Sequence, residues 1–80
     1  MYTLYILQCS DGSLYTGITR NLDNRLKTHS EGKGSKYVRA RLPITLVFKE
    51  KHIDRSEATK REMEIKKMSR ENKLKIIKKI

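Results

Sequence analysis

The first hydrophobic run, Thr3-Leu4-Tyr5-Ile6-Leu7-Gln8-Cys9, is short, branched and aromatic, and Ser10-Asp11-Gly12-Ser13 follows it as a turn. Residues 14–19 (Leu-Tyr-Thr-Gly-Ile-Thr) return as a second strand. The hairpin register decides which side chains share a face, because a slip of one residue moves every side chain to the other side of the sheet. A two-residue Asp-Gly turn pairs Tyr5 with Ile18 and puts Tyr5 and Tyr15 on opposite faces. A three-residue loop with Gly12 in the left-handed region pairs Tyr5 with Gly17. Tyr5, Leu7, Tyr15 and Gly17 then share one face, and Leu4, Ile6, Leu14 and Ile18 share the other. This second register segregates the apolar residues better and is the one expected.

Downstream the period changes from two to that of a helix. Asn21 is placed to cap a helix running to about residue 31, with Leu22, Leu26 and His29 at helical spacing. Gly32-Lys33-Gly34-Ser35 stops it, and residues 36–41 fit a short basic turn of helix. Pro43 precedes a third strand, residues 44–48. Asp54 with Glu57 three residues later resembles a capping box and opens a helix to about Met68. Ser69 caps a last helix, residues 70–80, with Leu74, Ile77 and Ile80 inward. The order is ββα, a connector, then βαα. Three strands with helices covering one face and an end make an α+β layout. Neither a repeat nor a linker interrupts residues 1–80, which read as a single domain.

Size and charge narrow the options. A chain of 80 residues buries only roughly 60% of its unfolded surface, so its core is small. The single cysteine, Cys9, forms no internal disulfide, and with two histidines it does not complete a four-ligand zinc site. No apolar run approaches the ~20 residues of a membrane span. The opening Met-Tyr-Thr-Leu lacks a basic n-region, so the cytoplasm is the expected address. The net charge is +10, and it is concentrated. Residues 20–41 hold seven basic and two acidic residues, and residues 60–80 hold nine and three. Two positive regions flanking a neutral middle suit a polyanion, nucleic acid first.

Four features carry candidate chemistry. Tyr5 and Tyr15 lie on adjacent strands with Gly17 in the second, and a glycine inside a strand marks a close approach by a ligand or by another side chain. Arg25 and His29, four apart, are neighbours on one side of a helix: either an edge histidine and a solvated charge or, beside a tyrosine-lined sheet, a phosphate-facing edge. Glu62 falls on the helical stripe of Ala58, Ile65 and Met68, where an apolar residue is expected. Either the carboxylate is paired or metal-bound, or the helix rotates to bury Met63 instead. Finally, Gly32-Lys33-Gly34-Ser35-Lys36 with Tyr37, Arg39 and Arg41 reads as a flexible basic loop beside an aromatic, a surface for a nucleic-acid backbone. The other reading is a helix terminator followed by solvated charges.

These residues, in this order, resemble the GIY-YIG nuclease domain, and the whole chain is similar to its small stand-alone bacterial members. The resemblance rests on Leu4-Tyr5-Ile6-Leu7, on Asp11 to Thr19, on Gly32-Lys33-Gly34-Ser35-Lys36, on Leu46-Val47-Phe48 and on Ser69-Arg70. It departs at Thr3, where the first motif has glycine, at Leu4, where it has isoleucine, and in the second motif, which reads Tyr-Thr-Gly. It implies a three-stranded antiparallel sheet flanked by helices and metal-dependent hydrolysis of phosphodiesters. By the same resemblance Tyr5 and Tyr15 are the motif tyrosines and Gly17 the closing glycine. Arg25 and His29 are the helix pair, and Glu62 is the ligand for Mg²⁺ or Mn²⁺. Many members also carry an active-site asparagine after the glutamate, and Asn72 is the only asparagine there.

The residue types suit the implied reaction. Mg²⁺ often takes only one or two protein carboxylates, so a lone Glu62 suffices. Arg25 offers a permanent charge to a phosphate oxygen. Tyr5 would position or deprotonate water, with Tyr15 assisting and His29 holding or relaying a proton. An ordinary tyrosine, with pKa ~10, needs a nearby cation for that role. Only the hydroxyl is lost in Tyr5→Phe, so that change is expected to leave folding nearly intact. The expected function is a small divalent-metal-dependent nuclease acting on DNA, single-stranded or branched. The alternative is a nucleic-acid-binding module with a weak or vestigial site. Eighty residues leave no room for a separate specificity domain, so the chain is expected to bind with its own surface, to use a protein partner or to be unselective.

Overall fold

The computed structural model describes residues 1–78 and is built on a three-stranded antiparallel sheet. Strand β1 (Tyr2–Gln8) lies in the middle, between β2 (Leu14–Thr19) and β3 (Thr45–His52). Helix α1 (Leu22–Ser30) and a one-turn α2 (Lys36–Arg39) precede β3, and α3 (Arg55–Lys66) and α4 (Arg70–Lys78) follow it. The expected Ile80 contact lies outside the described residues.

The hairpin takes the three-residue loop. Tyr5 pairs with Gly17, and Gly12 sits at φ 84°, where a side chain is strained. The two faces separate as the register requires. Leu4 and Ile6 pack with Phe48 and Ile65, joined by Leu14 and Ile18, while Tyr5 and Leu7 pack with Val38 on the other side. On β3 the ladder steps from Ile6↔Phe48 to Leu7↔Leu46. Val47 is the extra residue of this bulge, which lets Val47 and Phe48 both serve the first face while Leu46 turns to the second.

The helices cap as expected. The Asn21 side chain accepts from Asn24 N–H, Asp54 from Glu57 N–H and Ser69 from Asn72 N–H. Two expectations change. The helices cover both faces of the sheet, not one face and an end. α3, with Ile76 and Ile77 of α4, lies on the Leu4 side, while Leu22 and Leu26 of α1 and Val38 of α2 lie on the Tyr5 side. The central strand is therefore closed from both sides, and Leu4 to Leu7 are all buried. The third strand also runs on to His52, well past Phe48.

Candidate active site

Tyr5 stands at the centre of β1, and its ring lies across the neighbouring strand where Gly17 has no side chain. A Cβ at Gly17 would stand 2.6 Å from the Tyr5 hydroxyl. The hydroxyl meets His29 Nε2 at 3.0 Å. His29 continues the Leu22, Leu26 stripe that seats α1 on the sheet, and it is buried like Tyr5. Under the imidazole runs Gly34. A Cβ there would collide with Nδ1 and come within 2.8 Å of Cε1. Gly32, at φ 76°, closes the end of α1 instead: its N–H donates to His29 O, and Lys33 N–H donates to Thr28 O. Within the basic loop, Gly34 is thus fitted closely against the imidazole.

Burial, then the nearby Tyr15, pushes the Tyr5 hydroxyl up to about 12; Arg25 pulls it down and Glu62 adds to the rise. Burial and then the Arg25 charge hold His29 below the ordinary imidazole value. Both groups are neutral near pH 7, and the bond joins a neutral hydroxyl to a neutral imidazole. The His29 Nδ1 atom has no hydrogen-bond partner among the described residues.

Tyr15 forms the outer part of this group. It is half-buried, packs edge-on to His29 with centroids 5.5 Å apart, and stacks on Tyr37 at 6.1 Å. Tyr37 in turn carries the Arg41 guanidinium 3.9 Å from its ring centre. Arg41 also donates to Asp11 at 3.0 Å, and Ser10 N–H donates to Arg41 O. The hydrogen bonds from Ser13, then that from Arg41, hold the Asp11 carboxyl below its usual range. Arg41 therefore ties residues 36–41 to the β1–β2 turn. Of the other residues read as a nucleic-acid surface, Lys33, Lys36 and Arg39 are exposed and Tyr37 is 38% exposed.

On α3 the two readings of Glu62 separate. Ala58 and Ile65 are fully buried, Glu62 lies between them with its side chain 20% exposed, and Met63 is 54% exposed. The helix has not rotated. The ion partner of Glu62 among the described residues is Lys66 on its own helix, at 3.4 Å. Arg61 is engaged by Glu50 and Glu64 instead. No group of three or more His, Cys, Asp and Glu gathers to hold a metal among the described residues. A single half-buried carboxylate with one loose partner fits a hard cation that keeps most of its waters. Arg25, one turn before His29, is exposed. Asn72 is exposed in the first turn of α4 and makes no side-chain hydrogen bond to Tyr5, Tyr15, His29 or Glu62.

Sequence reasoning missed Gly34, because a glycine after a helix reads as a terminator. It also missed Lys49 and Lys51. The extended β3 places them opposite Tyr5 and Thr3, on the tyrosine face. The tyrosines over Gly17, the Arg25–His29 pair and Glu62 all fall within the stretch that a known family model matches. The family described as the GIY-YIG catalytic domain matches residues 1–75, and the chain belongs to it. That family is of nuclease type, acts on nucleic acid and generally uses divalent metals. Within it, the chain is similar to small proteins named UPF0213. One from Staphylococcus haemolyticus is 51% identical over 74 residues, covering 92% of this chain and 90% of its own length. One from Staphylococcus aureus is 48% identical over 75 residues, covering 94% and 92%. Two solution NMR structures share the fold. The UPF0213 protein BH0048 from Bacillus halodurans has a TM-score of 0.64 at 43% identity, over 98% of this chain and 84% of that one. The protein EF2693 from E. faecalis has a TM-score of 0.68 at 40% identity, over 98% and 83%.

Proposed function

We propose that this protein is a divalent-metal-dependent endonuclease that hydrolyses phosphodiester bonds of DNA. The observation that carries the reading is the Tyr5 hydroxyl. It is seated over Gly17, bonded to a neutral His29, and lies in the fields of both Arg25 and Glu62.

Glu62 would hold Mg²⁺ or Mn²⁺, which when bound supplies a Lewis acid for the phosphoryl oxygens and an acidified water. Arg25 pairs with a phosphate oxygen and opposes the charge that builds up there. Tyr5, Tyr15 and His29 act as one proton-holding unit. With its hydroxyl at about 12, Tyr5 is a neutral group at rest, and the Arg25 cation already favours its ionised form. His29, kept neutral, has Nε2 placed to take the Tyr5 proton. Tyr15 forms the solvent side of the unit. Lys33, Lys36 and Arg39, with Tyr37, supply part of the surface for the DNA backbone, while Arg41 holds that surface in place.

The test is cleavage of single-stranded, duplex and branched DNA by the purified protein, in Mg²⁺ or Mn²⁺ and again with EDTA. Metal-dependent cutting of any of these supports the reading. Salt-dependent binding without cutting in either metal would favour a binding module instead.

A further inference from the structure

A second cationic site opens beside the first. At the end of the sheet where β2 passes into α1, an open cavity of about 350 Å³ lies between the starts of α1 and α3. Arg20, Arg25 and Arg55 line it, with Asn21, Asn24 and Tyr2 among the rest, and no carboxylate does. None of the three arginines is paired with a carboxylate among the described residues, and all three are exposed.

The placement of these cations runs against local helix energetics. Arg55 is the first residue of α3, and Arg20 directly precedes the cap of α1. Both sit where the positive end of a helix disfavours a cation. An acidic residue suits such positions better, and the chain supplies one nearby in each helix, Asp23 and Glu57. Three unpartnered guanidiniums and two helix starts facing one open cavity make a strong attraction for an anion, and guanidinium groups match phosphate in geometry. Arg20 also lines a larger cavity of about 570 Å³ with Lys49, Lys51 and one carboxylate, Asp23, so a net positive surface continues along the sheet end.

We infer that Arg20 and Arg55 form a subsite for the backbone phosphates next to the reacting phosphodiester, with Arg25 shared between the two. This rests on the nuclease reading above and extends it: the substrate strand leaves the Tyr5 site toward the start of α3. The expected basic loop at residues 33–39 is then only one part of the contact surface.

The experiment measures binding of a fluorescein-labelled oligothymidylate by anisotropy over a salt series, without metal, so that cleavage plays no part. Each phosphate contact on a single strand contributes about 0.7 to the slope of log affinity against log salt. The double variant Arg20→Gln, Arg55→Gln should lower that slope by about 1.4, and Arg20→Lys, Arg55→Lys should keep most of it. A glutamine variant with the wild-type slope overturns the subsite while leaving the nuclease reading in place. A lysine variant with a slope as low as the glutamine one overturns it too, because charge would not be what the site supplies. Wild-type protein with no salt-dependent binding would instead remove the nucleic-acid reading beneath it.

Discussion

Tyr5 and His29 stabilise one another, so neither is a free-standing catalytic side chain. Tyr5→Phe keeps the ring but leaves the buried Nε2 of His29 without a partner. It should cost about 1–3 kcal/mol in a urea melt, and not the near-zero change that loss of a lone hydroxyl implies. A melt within error of wild type would mean that the hydroxyl–imidazole bond does not form in solution. Gly17→Ala places a methyl 2.6 Å from the same hydroxyl. About 1–3 kcal/mol of lost stability is expected, with the ring displaced from the strand. At this scale the sequence was informative where a residue broke a local rule. Gly17 weakens a strand, and Glu62 interrupts an apolar stripe, so both stood out. Gly34 broke no rule after a helix end, and its role under His29 exists only once the loop has folded back.

Strand β3 and helix α3 hold the other histidine. His52 meets Glu57 through Nδ1 and Glu50 through Nε2, each at 2.7 Å, and Arg61 joins Glu50 to Glu64. The bond to Glu57 raises His52 above the ordinary value, burial opposes it, and the bond to Glu50 with the charges of both carboxylates adds to the rise. Its contribution to stability is therefore complete below pH ~6.5 and is lost as the pH rises through the folded value. His29 behaves in the opposite sense: the unfolded chain takes the extra proton, so stability falls as the pH drops below ~6.5. NMR titration should resolve two histidine curves, one on each side of the ordinary value. His52→Gln should flatten the loss of melting temperature as the pH rises above ~6.5; an unchanged slope would show that the carboxylate bridges are not made. The strand's reach to His52 was hidden because Lys49-Glu50-Lys51-His52 has no apolar side. Its alternation became meaningful only through α3, which receives Glu50 and His52, while the lysines turn to the tyrosine face. The α3 stripe itself was legible. Ile65→Ala should cost about 2–5 kcal/mol and Met63→Ala less than about 0.5 kcal/mol in the same melts.

Across the whole molecule, a sheet only three strands wide is closed on both faces, and the charged groups around it are basic in excess, 19 against 9. The long dimension is 28 Å, about eight phosphates of one strand at ~3.4 Å spacing. Under the proposed function the domain would grip only a short stretch of backbone. The hairpin register and the capped helices could be read from residue order, because each depends on local spacing; that Tyr5, Tyr15, Arg25, His29 and Glu62 belong to one site was implied by the family resemblance alone. Coverage of the second face could not, since Val38, Leu42, Ile44 and Leu46 come from segments with no clear period. Nor could the arginine cavity, which joins three elements far apart in the chain. What decides between an enzyme and a binding module is the carboxylate on α3. Glu62→Gln should abolish cleavage of DNA in Mn²⁺ and Mg²⁺ while the metal-free melt holds or rises and oligonucleotide affinity stays equal or increases. A stable variant that still cuts at the wild-type rate would contradict the role of Glu62 as the metal-holding residue.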